Sequence, residues 1–269
     1  MSGYLEFRAA LDDPALVAAY DDMPLWSAMA GLLLLDHVPL EPGAVVLDVG
    51  CGTGFPTIEL AERLGPGAGV HGLDPWAPAL ERARAKAATR SVAQVVFDQG
   101  DAARMPYADG TFDLIVSNLG LNNFRDADAA VAECRRAMKP GGRLALSTNL
   151  VGHMAELYDV LGAILDETGA EREPGLLRRH VEARATIAGV RNLLGRHGLR
   201  IGRVEERSHL LRYADGTALM NHWFIKLGFL DGWRSVVDPA REAEVFARME
   251  VVLPAPLRLS VPFAYIEAA

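Results

Sequence analysis

The sequence predicts an α/β fold: a mostly parallel, seven-stranded sheet with helices on both faces. Three observations carry this. Apolar, β-branched runs alternate with helical stretches from Val45 to Thr148, the order that builds parallel sheets. Further strand-like runs begin at Ile201 and Leu257. The first strand passes into its helix through closely spaced glycines, Gly50, Gly52 and Gly54.

Val45 to Val49 reads as a buried strand, and Pro56 to Leu64 as an amphipathic helix. Glycines between them allow positive φ and let the backbone approach a ligand. The helix start adds unpaired N–H groups and the positive end of a dipole. An adenosine-type ligand fits such a loop, and a carboxylate or phosphate is welcome there. The dinucleotide fingerprint G-x-G-x-x-G is not met, because Phe55 takes the third glycine position and Gly54 falls one residue early. The pattern is Asp-x-Gly-x-Gly-x-Gly, from Asp48 through Cys51 to Gly54. It resembles motif I of the class I S-adenosylmethionine (SAM)-dependent methyltransferases. An acid so close to the loop would repel a pyrophosphate but suits the cationic amino group of SAM. Cys51 reads as a small loop residue, not a nucleophile.

The 269 residues suffice for one α/β domain with insertions. The formal charge of −8 argues against a nucleic-acid backbone as partner. The two cysteines, Cys51 and Cys134, have no metal-like or redox-pair spacing. The N-terminus carries Glu6, Asp12 and Asp13 and does not read as a signal peptide. The longest apolar run, Met29 to Leu35, is too short for a membrane span. The expectation is a cytoplasmic protein without a membrane segment.

In chain order, Asp13-Pro14 opens a short helix through Tyr20. The stretch from Asp21 to Pro24 breaks it, and Leu25 to His37 forms a second helix. In the methyltransferases this chain resembles, such a leader packs over the cofactor mouth, so Tyr20 and Trp26 are candidates for covering SAM. Val70 to Asp74 is the second strand. Asp74 stands about twenty residues past the loop, the ribose-binding position of Rossmann-like folds. It also suits a helix cap. Pro75 and Trp76 can lie against adenine. Val95 to Asp98 is the third strand. By the resemblance, Asp101 then accepts from the adenine amino group and the Ala102 N–H reaches a ring nitrogen. Phe112 to Asn118 is the fourth strand. The loop after it holds Asn122 and Asn123 where many relatives have histidines, which removes a candidate base. Asn118 and Asn123 could orient the methionine end of SAM. Asp126 can cap the next helix, and Lys139-Pro140-Gly141-Gly142 turns into strand five, Arg143 to Thr148.

Beyond this point the motifs stop. Gly152 to Thr168 reads as a helix, and Glu171 to Arg184 as a charged segment broken by Pro174. Ala185 to His197 is a helix, and Ile201 to Tyr213 a long strand. Asp215 to Gly232 is a helical insertion, Arg241 to Val252 another helix, and Leu257 to Ile266 the closing strand. The last strand runs antiparallel in the family. The resulting plan is a helical cap over 1–40, a SAM-binding core over 41–149 and a lid insertion over 150–183. A core helix and strand occupy 184–214, a second helical insertion 215–250 and the closing strand 251–269.

The implied activity is methyl transfer from SAM to a small molecule or small peptide by in-line displacement, leaving S-adenosylhomocysteine. Alignment supplies much of the acceleration, and a base is needed only if the nucleophile starts protonated. His153, just past strand five, is the best-placed base, with His222 second. A non-catalytic SAM-binding subunit and an NAD-type oxidoreductase remain as alternatives. No metal site is expected, and the oligomeric state is open.

Overall fold

Asp13 starts the first helix by accepting the N–H of Ala15 at 2.8 Å, with Pro14 pre-set at the first helical position. This helix, α1, spans Pro14–Asp21. The computed structural model describes residues 3–22 and 25–269. Of the break expected from Asp21 to Pro24, Met23 and Pro24 lie outside the described residues. A 3-10 turn at Gly3–Glu6 precedes α1, and α2 (Leu25–Leu35) follows it. Next come β1 (Val45–Val49), α3 (Thr57–Leu64), β2 (Gly69–Asp74), α4 (Ala77–Thr89) and β3 (Val95–Gln99). β4 (Phe112–Asn118), α5 (Ala127–Ala137) and β5 (Met138–Asn149) complete the first half. Asp126 caps α5 as expected, accepting from Ala129 N–H at 2.9 Å.

The second half runs α6 (Ala155–Thr168), α7 (Leu176–Glu182), α8 (Ile187–Arg196) and β6 (Ile201–Tyr213). The helices α9 (Gly216–Asn221), α10 (Trp223–Gly228), α11 (Leu230–Ser235) and α12 (Glu242–Val252) lead to β7 (Leu257–Ala268).

The sheet order is β3-β2-β1-β4-β5-β7-β6. β1 pairs parallel with β2 and β4, β2 with β3, and β4 with β5. β7 runs antiparallel to β5, from Leu144 opposite Ala268 to Asn149 opposite Phe263. The chain therefore travels outward from β1 to β3 and returns to the other side of β1. In open sheets such a reversal leaves a crevice beyond the carboxyl ends of the two central strands.

Three local differences from the sequence expectation have physical reasons. Lys139 to Gly142 is absorbed into β5 as a bulge: Phe112 pairs with Met138 and Leu114 with Arg143, and Gly141 takes φ +80°. The charged segment 171–184 contains α7, because Glu171 accepts the N–H groups of Gly175 and Leu177 at its start. The insertion from Asp215 is three short helices, since His222 adopts an extended conformation between α9 and α10 and Phe229 interrupts α10 and α11.

The described residues form two compact units. One gathers residues 11–149, 186–206 and 263–269, and the other residues 3–10, 150–185 and 207–262. The larger unit buries Leu34, Val46, Leu60, Val70, Leu80 and Val116 in one core. Each such side chain contributes about 1.5–3 kcal/mol. The smaller unit buries Tyr4, Leu161, Trp233 and Phe246, with Phe7 edge-on to Trp223 at 5.1 Å. No described helix is long and apolar enough to cross a membrane. Among the described residues, no cluster of His, Cys, Asp or Glu is arranged to hold a metal.

Candidate active site

The glycine loop is held by the ends of two strands. Gly50 and Cys51 donate their N–H groups to Leu73 O at 2.8 and 3.2 Å. Asp74 then joins two turns with one carboxylate. Its Oδ2 accepts from Gly52 N–H and its Oδ1 from Trp76 N–H, each at 2.8 Å. Burial raises the Asp74 pKa, opposed by these two backbone donors. Trp76, not Asp74, holds the cap position of α4.

Gly52 and Gly54 both take positive φ, 51° and 96°. A Cβ on Gly52 would meet nothing within 4 Å, so open space lies beside its backbone. A Cβ on Gly54 would come within 3.0 Å of Ala83 Cβ, because α4 packs directly on the loop. Cys51 is buried, and its Sγ would lie 2.9 Å from a Cβ on Gly72. Burial pushes its thiol pKa well up, as Asp48 and Asp74 also do. It is therefore a packed, protonated thiol.

Asp48 at the end of β1 is fully buried. Its Oδ2 accepts the Thr57 hydroxyl at 2.6 Å, and its Oδ1 has no partner. Burial pushes its carboxyl from an ordinary 3.8 up to about 7, and the nearby Asp74 charge adds to this. A buried carboxylate oxygen without a donor, beside glycines with positive φ, fits a cationic hydrogen-bonding group. The amino group of SAM has that chemistry and a pyrophosphate does not.

The leader lies against this loop. Asp21 accepts from Arg82 at 2.8 Å and also from Lys86, which pins α1 to α4. The Tyr20 ring then meets Trp76 edge-on at 5.5 Å. Burial raises the Tyr20 pKa, and Asp74 and Asp21 raise it further. Trp76 donates its indole N–H to Leu11 O at 2.9 Å. In α2, a Cβ on Gly31 would lie 2.4 Å from Phe55 and 3.1 Å from Asn118, so this helix rests directly on both. Trp26 is half-buried against the same core.

The other candidates fall at neighbouring strand ends. Gly100 N–H donates to Asp74 O at 3.1 Å, which sets the turn after β3 beside Pro75. In that turn Asp101 is exposed and accepts from Ala103 N–H at 2.9 Å, while Ala102 is buried. Asn118 is committed at both ends: Ser147 Oγ donates to its Oδ1 at 2.6 Å, and its Nδ2 donates to Ser27 O at 3.0 Å. Asn123 donates to Leu119 O at 2.9 Å. Both amides thus brace the site's backbone.

His153 and His222 belong to the smaller unit. His153 is buried with its ring 5.4 Å from Phe229. Burial, with Arg184 and His180 adding to it, pushes its pKa down to about 3. His222 is half-buried and edge-on to Tyr213 at 5.4 Å. Its pKa is lowered by burial and by Lys226. Sequence reasoning missed Thr57, the residue that fixes Asp48. Its signal was a hydroxyl at the first turn of the helix after the loop.

Residues 40–178 match a family described as a methyltransferase domain. The chain is 30% identical over 257 residues to nocamycin O-methyltransferase of Saccharothrix syringae, covering 87% of this chain and 88% of that one. It is 37% identical over 139 residues to demethylmenaquinone methyltransferase of Deinococcus radiodurans, spanning 55% of that protein. A SAM-dependent methyltransferase of Aquifex aeolicus shares the fold, with a TM-score of 0.58 at 18% identity over 95% of this chain and 98% of that one. The family match runs through the glycine loop and on past β5, and by it the chain belongs to the class I SAM-dependent methyltransferases, with SAM as its cofactor.

Proposed function

We propose that this enzyme transfers the SAM methyl group to an oxygen of a small organic acceptor. One observation carries the choice of oxygen. Similarity to an O-methyltransferase extends over 87% of the chain, whereas similarity to the demethylmenaquinone enzyme of Deinococcus covers 49% of it. Acceptor recognition is expected outside the cofactor motifs, so the longer match is the more informative one. The charge of −8 supports a small molecule, or a small peptide, over a nucleic acid. For an enzyme drawing on SAM, the cytoplasm is the expected compartment.

When bound, SAM supplies an electrophilic methyl group. In this reading Asp48 and the loop of Gly50, Cys51, Gly52 and Gly54 hold the amino-acid end, and Asp74 holds the ribose. Pro75 and Trp76 border the adenine, which Asp101 and the Ala102 N–H read. Tyr20 covers the cofactor, and Asn118 and Asn123 act through the backbone they brace. Residues 150–183 and 215–250 select the acceptor, with Met154, Leu157 and Met220 fully buried among them. An apolar setting with few polar groups suits an organic acceptor and keeps water out. Where a proton must leave, His222 is the better acceptor, because His153 is harder to charge.

The test is direct. The protein is incubated with SAM and a panel of hydroxylated, amino and thiol ring compounds, and S-adenosylhomocysteine is measured. Turnover confined to hydroxylated compounds is expected. Turnover with amines or thiols alone would overturn the choice of oxygen. SAM binding without turnover on any compound would favour a non-catalytic subunit.

A further inference from the structure

Within the larger unit, the leader helix α1 is fastened at both of its ends. Before it, Leu11 O accepts the indole N–H of Trp76, the cap residue of α4, at 2.9 Å. At its last residue, Asp21 Oδ2 accepts from Arg82 Nε at 2.8 Å, and Oδ1 accepts from the Lys86 ammonium. Asp22 stands 3.9 Å from Arg82 and adds a weaker, exposed pair. A carboxylate at a helix C-terminus faces the negative end of the dipole, so α1 alone does not favour an acid at Asp21. The partners come from α4. Arg82 and Lys86 are four residues apart and share one face of that helix, while Ala79, Ala83 and Ala87 are buried.

One carboxylate thus meets two cations. The Asp21 side chain is only 8% exposed. Burial works against its charge, yet Lys86 and Arg82 outweigh burial and hold its pKa below the usual carboxylate range. The Arg82 and Lys86 side chains stay partly exposed, so water takes them over when the pairs open. Tyr20 is the residue before Asp21, and its ring is edge-on to Trp76 at 5.5 Å. Asp74 accepts the Trp76 N–H with one oxygen and the Gly52 N–H with the other. Where Asp21 is held, Tyr20 is therefore held against the turn that Asp74 ties to the glycine loop.

We propose that Asp21 is a positioning residue for cofactor exchange. Its pairs with Arg82 and Lys86 latch α1, and Tyr20 with it, over the mouth of the glycine loop. Their opening lets SAM enter and S-adenosylhomocysteine leave. This inference rests on the placement of SAM beneath Tyr20 and adds the contact that times its passage. A latch acts on the barrier to passage and not on the bound cofactor, so weakening it speeds movement in both directions.

Stopped-flow tryptophan fluorescence of the full chain mixed with S-adenosylhomocysteine reads both directions. At low ligand, the slope of the observed rate against concentration gives entry and the intercept gives exit. Asp21→Asn keeps the side chain's shape and removes its charge. It should raise both rates about fivefold and leave the Kd within about threefold of wild type. Lys86→Met should raise both by less, because Arg82 remains, and adding it to Asp21→Asn should change nothing further. Glu62→Gln removes the Glu62–Arg90 pair at the C-terminal cap of α4 and is the control for a loosened helix. It should leave both rates alone. Unchanged rates in a folded Asp21→Asn overturn the proposal. Faster exit with unchanged entry overturns it too, since that marks a lost contact to bound cofactor. So does equal acceleration in Glu62→Gln. Should Asp21→Asn fail to fold, Lys86→Met and Arg82→Met decide by the same readings. A wild type that binds no S-adenosylhomocysteine would sink the placement of SAM in the glycine loop, a failure distinct from unaltered rates in a chain that binds.

Discussion

Thr57 donates its hydroxyl to Asp48 at 2.6 Å and leaves the other carboxylate oxygen buried without a partner. The pair makes the glycine loop an electrostatic device as well as a cradle. One donor is too few to hold a fully buried carboxylate ionised, and its pKa rises to about 7. A cationic donor from a ligand would supply what is missing.

The pH dependence follows from that shift. Asp48 is harder to ionise folded than unfolded, so the folded chain binds the extra proton between pH 3.8 and about 7. Its contribution to stability is present below that window and lost as pH rises through it, by up to ~4 kcal/mol. Asp48→Asn should therefore raise the urea midpoint of the ligand-free protein most at pH 8, less at pH 5, and little below pH 4. SAM affinity in the wild type should rise with pH from about 5.5 to 7.5, since binding favours the ionised acid. In Asp48→Asn it should be weaker and flat. An equal pH slope in both proteins would remove Asp48 from the cofactor's charge partners.

Asp74 bridges the two turns through Gly52 and Trp76 N–H. Asp74→Ala should weaken SAM by about 1.5–3 kcal/mol, tenfold or more. It should also lower the melting temperature, because both N–H groups lose their acceptor. Asp74→Asn keeps one oxygen and should fall between. Calorimetry showing unchanged SAM affinity in Asp74→Ala would reject the ribose assignment.

How far the sequence reached depends on how local each determinant was. β4 is found from Phe112 to Asn118 as read, because a buried run bounded by a turn and a polar loop marks its own ends. The glycine loop was equally legible, since positive φ at Gly52 and Gly54 is a local backbone demand. Thr57 was not, because its role depends on α3 folding back onto Asp48. The salt bridge from Asp21 to Arg82 spans 61 residues and leaves no pattern. His153 was well placed in the chain order, but its burial is a property of the packed unit.

Gly72 lies where β2 passes under the glycine loop. A Cβ there would stand 2.8 Å from Phe97 Cδ1 and 2.9 Å from Cys51 Sγ. Gly72→Ala should cost about 1–3 kcal/mol of stability by overpacking, read as a shift in urea midpoint. Cys51→Ala in the same chain removes the sulfur and should recover part of that loss, giving a coupling between the two sites. Strict additivity of the two substitutions would show that Phe97 alone takes the strain.

His153 and His222 separate by a pH and turnover experiment. A base must become charged during the step it assists. For His153 burial opposes that charge, and Arg184 and His180 oppose it too, so its pKa stands at about 3. It stays neutral from pH 6 to 8 and cannot produce a step in turnover there. His153→Ala should leave turnover within about tenfold of wild type, with SAM affinity unchanged. Its effect should fall on stability, about 2–4 kcal/mol, because the ring packs against Phe229. The same shift gives His153 a linkage opposite to that of Asp48. Its contribution is present above the unfolded value of 6.5 and lost as pH falls toward about 3, so replacing it should flatten acid denaturation. His222 is half-buried, its Nδ1 has no hydrogen-bond partner, and its lowered pKa leaves a neutral acceptor at pH 7. For an acceptor that enters protonated, His222→Ala should lower turnover by roughly 10²–10⁴ and remove the acidic limb of the pH–rate profile. For one that enters already ionised, it should change little. A loss of 10²-fold or more in His153→Ala with intact SAM affinity, roughly what a base supplies, would reverse the assignment.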